Sequence, residues 1–137
     1  MINVSDRSRV AVLALAELAA RGRLAPVPVL EVADRRGIPP HQVEQVFSAL
    51  RRAGLLQSQR GVKGGYTLRR DPADVTLLEI VEAVDGPIGG TAGASGCAVG
   101  EVWADGATRL SSAFREVTLA DIAEREARRA DAPMFHI

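Results

Sequence analysis

Apolar residues in the first third of the chain recur with helical spacing in three successive segments. Val10–Ala20 is apolar on nearly every side and is interrupted only by Glu17, which predicts a helix buried at the centre of the fold. Val29–Arg36 predicts a short helix that ends at Gly37, and Pro40–Ala53 predicts a third helix with an apolar stripe at i, i+3, i+4 and i+7. Two helices joined by a short glycine-containing turn predict a helix-turn-helix.

A β-hairpin is predicted directly after this helix pair. Leu55–Arg60 and Tyr66–Leu68 are short extended runs, and residues 61–65 between them include three glycines, which favour a tight tip with positive φ. A hairpin in this position is a wing. Its Arg60 and Lys63 suit contact with phosphates or with a minor groove.

The second half of the chain alternates between helical and irregular patterns. Leu77–Val84 predicts a helix, and residues 86–101 are rich in Gly, Ala, Ser and Thr without periodicity, which predicts a flexible loop. Val102–Val117 is amphipathic, and Leu119 to about Arg129 predicts a last helix capped by Thr118. We therefore predict a mainly α-helical protein with a winged helix-turn-helix domain at 1–85, a loop at 86–101, and a helical arm with a tail at 102–137.

Composition narrows the class of protein. The 137 residues suit one domain, or one small domain with an arm. The net charge of zero hides an asymmetry: residues 1–70 carry 12 basic and 5 acidic residues, a net +7, and the remainder carries a net −7. A basic half beside an acidic half is expected if one end faces a polyanion. No apolar run is long enough to cross a bilayer and no signal-peptide pattern begins the chain, so we expect a cytoplasmic protein without membrane contact.

The predicted Pro40–Ala53 helix carries the side chains that would read base edges. His41, Gln42, Glu44 and Gln45 lie in its first turns, where a recognition helix enters the major groove. Gln pairs with adenine, Glu accepts from the cytosine amino group, and His donates to guanine. Arg51, at the far end of the helix, would meet phosphates or acids within the protein. The alternative for His41 is a solvent-exposed residue at the start of a helix, and the alternative for Glu44 is a surface helix residue paired with a nearby Arg.

Three segments resemble one family of bacterial winged-helix transcription regulators, the family of the IscR, NsrR and CymR type. They are Ser5–Ala11, Gln42–Leu55 and Arg60–Tyr66. The resemblance implies a homodimer that binds double-stranded DNA at palindromic operators. It places Glu44 on a base edge and Arg60 in the minor groove.

The same resemblance assigns the arm at 102–137 to dimerisation. The long helix would pack against its counterpart through Trp103, Leu110 and Phe114. The function implied is that of a regulator and not of an enzyme, because the chain has neither a phosphate-binding glycine loop nor a catalytic grouping that spacing alone supports. We expect a repressor of sulfur, cysteine or iron–sulfur metabolism.

Cluster-binding members of the family hold a [2Fe–2S] or [4Fe–4S] centre with three cysteines in the loop before the dimer helix. This chain has one cysteine, Cys97, which aligns with the last of the three. One thiolate per subunit cannot hold such a cluster without other ligands, so we expect no iron–sulfur cofactor and no metal site. Cys97 is then either an inert thiol or a redox-sensitive one.

The end of the chain offers a second candidate for regulation. Met134–Ile137 is apolar and aromatic, and is similar to the end of the cysteine-repressor branch, which responds through a partner enzyme of cysteine synthesis. A terminal carboxylate beside an anchoring side chain suits capture by such a cysteine synthase. The alternative is a tail that packs on its own domain or frays.

Overall fold

The structure is a computed structural model that describes residues 2, 4–22, 25–89 and 97–131. Within these ranges the chain forms six α-helices and one antiparallel hairpin. Their order is α1 (Asp6–Arg21), α2 (Val29–Arg36), α3 (Pro40–Arg52), β1 (Leu56–Gln59), β2 (Gly65–Leu68), α4 (Leu77–Asp85), α5 (Ala98–Arg115) and α6 (Leu119–Asp131). A single 3₁₀ turn at Pro72–Asp74 precedes α4. The mainly α-helical winged-helix fold expected from the sequence is confirmed.

Helix α1 forms the centre of the fold because apolar side chains surround it. It packs against α2, α3, α4 and α6. Ala14, Leu15 and Leu18 are buried among apolar residues of the neighbouring elements. Burying a leucine side chain stabilises a fold by roughly 1.5–3 kcal/mol.

The helix-turn-helix follows the predicted boundaries closely. Helix α2 has the bounds expected from the sequence and ends at Gly37, whose φ of 65° and ψ of 35° place it in the left-handed region. Pro40 is the first residue of α3, where its missing N–H costs no hydrogen bond. The helix ends at Arg52, with Ala53 as its C-cap.

The long helix of the arm begins earlier than the sequence pattern indicates. It starts at Ala98 and not at Val102, so residues 98–101 belong to α5 and not to the predicted loop. The physical reason is a cap. The Cys97 sulfur accepts a hydrogen bond from the Gly100 backbone N–H at 3.3 Å, and Gly100 itself is buried. No helix within the described ranges is long and apolar enough to cross a membrane.

Backbone pairing attaches α6 to the start of α4. The Leu119 N–H donates to the Val75 carbonyl at 2.8 Å, and the Leu77 N–H donates to the Val117 carbonyl at 2.8 Å. Thr118 caps α6 as expected, because its hydroxyl accepts from the Asp121 N–H at 3.1 Å. The Asp121 carboxylate completes the cap by accepting from the Thr118 N–H at 3.0 Å.

Candidate nucleic-acid interface

Helix α3 has one buried face and one face open to solvent. Val43, Val46, Phe47 and Leu50 are almost fully buried and hold the helix against α1 and α4. On the other side His41, Glu44 and Gln45 are exposed, and Gln42 is half-buried. Positions 41, 44 and 45 are spaced i, i+3 and i+4, so these three side chains project from one face. This face has the polar composition that base reading requires.

The predicted wing is present as β1 and β2. The strands pair antiparallel, from Leu56 opposite Leu68 to Gln59 opposite Gly65. Arg60 and Lys63 both lie in the connecting tip and are exposed. The tip is closed by a hydrogen bond from the Gly64 N–H to the Gly61 carbonyl at 2.9 Å.

Side-chain and backbone contacts fix the wing relative to α3. The Phe47 and Tyr66 rings lie with centroids 4.9 Å apart at an angle of 53°, a favourable tilted arrangement. Tyr66 also exchanges two backbone hydrogen bonds with Val27, at 2.9 and 3.0 Å. Gly65 permits this approach, because a Cβ there would collide with the Val27 carbonyl group. The exposed face of α3 and the wing therefore belong to one rigid unit.

Ten of the twelve cations of the first 70 residues fall into two groups. Five form ion pairs within the protein: Arg9, Arg21, Arg35, Arg36 and Arg70. Another five make no ion pair with any residue that the structure describes: Arg7, Arg51, Arg52, Arg60 and Lys63. The sequence left open whether Arg51 meets an acid of its own chain. In the described ranges it meets none, so its charge remains available to a ligand.

Glu17 is the shared partner of three of the paired cations, Arg21, Arg35 and Arg36. Its carboxylate, which is only 8% exposed, accepts from Arg21 and from Arg36 at 3.0 Å each. Arg36 continues to Glu126 of α6 at 2.7 and 3.0 Å. Burial works to raise the pKa of Glu17, but hydrogen bonds and charges from Arg21 and Arg36 outweigh it and hold the pKa below its ordinary value. This network connects α1, α2 and α6.

Asp85, the last residue of α4, is joined to the start of α1. It accepts from the Ser5 N–H at 2.7 Å, the Ser5 hydroxyl at 2.6 Å and the Ser8 hydroxyl at 2.5 Å. Ser5 occupies the N-cap position of α1, but its hydroxyl donates to Asp85 and does not cap the helix. Burial works to raise the pKa of Asp85. The serine hydrogen bonds and the nearby Arg7 charge outweigh it and lower that pKa.

The residues assigned to dimerisation differ in their surroundings. Trp103 on α5 is 53% exposed, and Val99 and Val102 beside it are also exposed. Leu110 and Phe114 are partly buried against a small core of this same chain.

The two candidates for regulation differ in what the structure describes. Cys97 is exposed at the start of α5. The tail at 132–137 lies outside the described residues.

A helix-turn-helix followed at once by a basic hairpin defines this chain as a winged helix-turn-helix protein of the DNA-binding class. The model of the Rrf2 family, described as iron-dependent transcriptional regulators, matches residues 4–125. The chain therefore belongs to the Rrf2 family of transcriptional regulators. This confirms the family resemblance expected from the sequence.

Individual relatives agree with the family. The transcriptional regulator IscR of Escherichia coli (strain K12 / DH10B) is 31% identical over 133 residues, covering 91% of this chain and 82% of the relative. The structure of IscR from T. potens has a TM-score of 0.79 at 29% identity, covering 96% of this chain and 93% of that one. CymR, the global cysteine regulator of B. subtilis, has a TM-score of 0.78 at 29% identity, covering 91% and 98% of the two chains.

The donor set of this chain does not fit the iron that the family description implies. Cys97 is the only cysteine, and residues 90–96 before it contain no His, Cys, Asp or Glu. The Cys97 sulfur is already used as a helix cap. No three His, Cys, Asp or Glu side chains converge on a common point within the described part of the chain.

Proposed function

We propose that this chain is a homodimeric, sequence-specific regulator that represses genes of sulfur, cysteine or iron–sulfur metabolism from palindromic operators. One observation carries the proposal. The exposed face of α3 and the wing tip are held in one rigid unit by Phe47, Tyr66 and Val27, and the cations at both ends of that unit make no ion pair with a described residue. We propose regulation without enzymatic activity, in agreement with the relatives, which are transcriptional regulators.

Each side chain has a role in this proposal. Glu44 accepts from a cytosine amino group, Gln45 pairs with adenine, and His41 donates to guanine in the major groove. Arg60 enters the adjacent minor groove, whose negative potential attracts a guanidinium. Gln42 reads a base edge beside Gln45, and Arg51 and Lys63 contact the backbone and set the register of the helix.

Replacing Arg60 with alanine should weaken operator binding by about 1–3 kcal/mol, because the guanidinium no longer interacts with the groove. The fold should be unaffected, since Arg60 is exposed at the tip of the hairpin. Fluorescence anisotropy on a duplex selected by the wild-type protein from a random pool measures the change.

Arg128→Ala is the matched control for this test. It also removes one exposed cation, but from α6, where Arg128 only approaches Glu124 at 3.8 Å. It should leave operator affinity unchanged. Equal affinities of the Arg60→Ala and wild-type proteins would remove the wing from the interface.

The proposed dimer rests on the apolar face of α5. Val99, Val102 and Trp103 are exposed there, at positions spaced i, i+3 and i+4. A large apolar patch on a helix is typical of an interface. A second copy packed on this face by two-fold symmetry would present two α3 helices to DNA, with half-sites about 34 Å apart.

Trp103→Ala should shift the protein from dimer to monomer, because truncating a central aromatic anchor typically removes about 2 kcal/mol or more of binding energy. Sedimentation equilibrium at several protein concentrations measures the dissociation constant. Val62→Ala, which trims an apolar side chain exposed on the wing, should leave it unchanged. A wild-type protein that sediments as a monomer at every concentration would contradict the dimer.

The signal to which the regulator responds does not require an iron–sulfur cluster in this proposal. Assays of iron and sulfide on anaerobically purified protein test the absence of a cluster. The signal then has two alternative sources. Oxidation of the exposed Cys97 is tested by operator binding before and after mild peroxide. Capture of Met134–Ile137 by a cysteine synthase is tested by deleting Phe135–Ile137 and measuring complex formation.

A further inference from the structure

The first turn of α1 lies beside the base-reading end of α3. Arg7 on α1 lines one concavity together with His41, Gln42 and Gln45 of α3. These three α3 residues are among the predicted base-reading side chains. Arg7 lies on the opposite wall of this concavity. If α3 enters the major groove, Arg7 would therefore face the edge of that groove.

Arg7 is an exposed cation that no acid of the described chain neutralises. Its neighbour Asp6 is already paired with Arg9 at 2.9 Å. Asp85 is close enough for its pKa to be affected by the Arg7 charge, yet the two form no ion pair within 4 Å. Within residues 1–70, Arg51, Arg52, Arg60 and Lys63 also make no ion pair with a residue that the structure describes. All four lie at the end of α3 or in the wing tip.

Asp85 fixes the backbone on both sides of Arg7. Ser5 precedes Arg7 by two residues and Ser8 follows it, and both donate to the Asp85 carboxylate. Ser8 is nearly fully buried, whereas the two Ser5 hydrogen bonds lie at the exposed end of α1, so the attachment extends from the packed interior to the surface. The start of α1 therefore cannot rotate away from α3 without breaking these hydrogen bonds.

We propose that Arg7 is a further residue of the DNA interface, which binds a backbone phosphate flanking the bases read by α3, and that Asp85 is its positioning residue. The inference rests on the proposed function. The proposed DNA interface then has three elements: α3, the wing and the start of α1. The ligand is a phosphodiester, so the contact carries affinity and register but no base preference.

Two duplexes test the Arg7 contact: one selected by the wild-type protein from a random pool, and one of unrelated sequence. Arg7→Ala should weaken binding to both by roughly tenfold, because a phosphate contact acts on every sequence. The negative slope of log affinity against log salt should become shallower by about 0.9 for each phosphate that is no longer neutralised, or about 1.8 for a dimer. Arg7→Lys should keep the slope.

Arg115→Ala is the charge control. It removes an exposed cation from the last turn of α5 and should change neither affinity nor slope. An unchanged affinity and slope for Arg7→Ala would overturn the proposal. A loss confined to the selected duplex would also overturn it, since that result would mean base reading. If the wild-type protein itself binds no duplex in a salt-dependent way, the proposed function has failed. If Arg60→Ala weakens binding and Arg7→Ala does not, only this inference has failed.

Asp85 is tested through its dependence on Arg7. Asp85→Ala should weaken DNA binding in the wild-type background, but should add no further loss in the Arg7→Ala background. Ser8→Ala, which removes the buried hydroxyl that donates to Asp85, should show the same dependence to a smaller degree. Additive losses in either pair of variants would overturn the positioning role. Circular dichroism melting confirms that each variant is folded.

Discussion

Replacing Phe47 with alanine is expected to lower the free energy of unfolding by about 4 kcal/mol, since truncating a buried Phe costs roughly 3–5 kcal/mol. Phe47 is fully buried, and it joins the core to the wing through the Tyr66 ring. Small domains are stable by only about 5–15 kcal/mol, so a loss of this size removes a large share of the total. Urea denaturation followed by circular dichroism at one fixed protein concentration measures it.

Val62→Ala provides the comparison for this experiment. Val62 is fully exposed at the wing tip, and its truncation should change stability by less than about 0.5 kcal/mol. A Phe47→Ala protein that unfolds at the wild-type urea concentration would mean that α3 is not held by the packing described. Operator binding by folded Phe47→Ala protein should also fall, because the wing no longer has a ring packed between it and α3.

Glu17→Ala is expected to lower the free energy of unfolding by about 3 kcal/mol, at the lower end of what breaking a buried ion pair costs. The substitution leaves Arg21 and Arg36 without their shared carboxylate. Each keeps one other acid, Glu31 at 2.6 Å and Glu126 at 2.7 Å respectively, which limits the loss. The same urea titration measures the effect.

The dependence of this loss on pH follows from the lowered pKa of Glu17. A carboxyl whose pKa is lower in the folded protein contributes stability above its unfolded value, here 4.5, and loses that contribution as the pH falls through the folded pKa. The difference between wild type and Glu17→Ala should therefore be largest near neutral pH and shrink below about pH 4.5.

The control for this substitution is Glu124→Ala. Its exposed carboxylate only approaches Arg128 at 3.8 Å, so its removal should cost less than about 1 kcal/mol. Equal stabilities of the Glu17→Ala and Glu124→Ala proteins would contradict the ion-pair network around Glu17.

Local chemistry explains why the helix-turn-helix and the wing could be predicted from the sequence. Gly37 ends α2 in a conformation that glycine adopts most easily, and Pro40 begins α3 where proline is tolerated best. The apolar spacing of α3 predicts which of its faces is buried. These signals lie within a few residues of the features they determine, so they do not depend on tertiary contacts.

Other features depend on partners that are distant in the sequence. Arg36 and Arg51 are both arginines near the end of a helix, yet Arg36 reaches Glu126, 90 residues away, while Arg51 meets no acid in the described ranges. Arg7 was not among the predicted interface residues for the same reason. Its significance depends on Asp85 and α3, and neither is near it in the chain. The early start of α5 was missed because a cysteine cap is an uncommon signal.

The contact between Gly65 and Val27 divides the wing into a part that can change in evolution and a part that cannot. A side chain at 64 or 65 would collide with backbone, and Gly61 has a φ of 113° that other residues rarely adopt. Arg60, Val62 and Lys63, by contrast, are exposed at the tip and carry ordinary side chains. Mutations can thus alter the reach and chemistry of the tip without moving α3. In the proposed interface, a change at the tip would alter the minor-groove contact and leave the major-groove contact of α3 as it is.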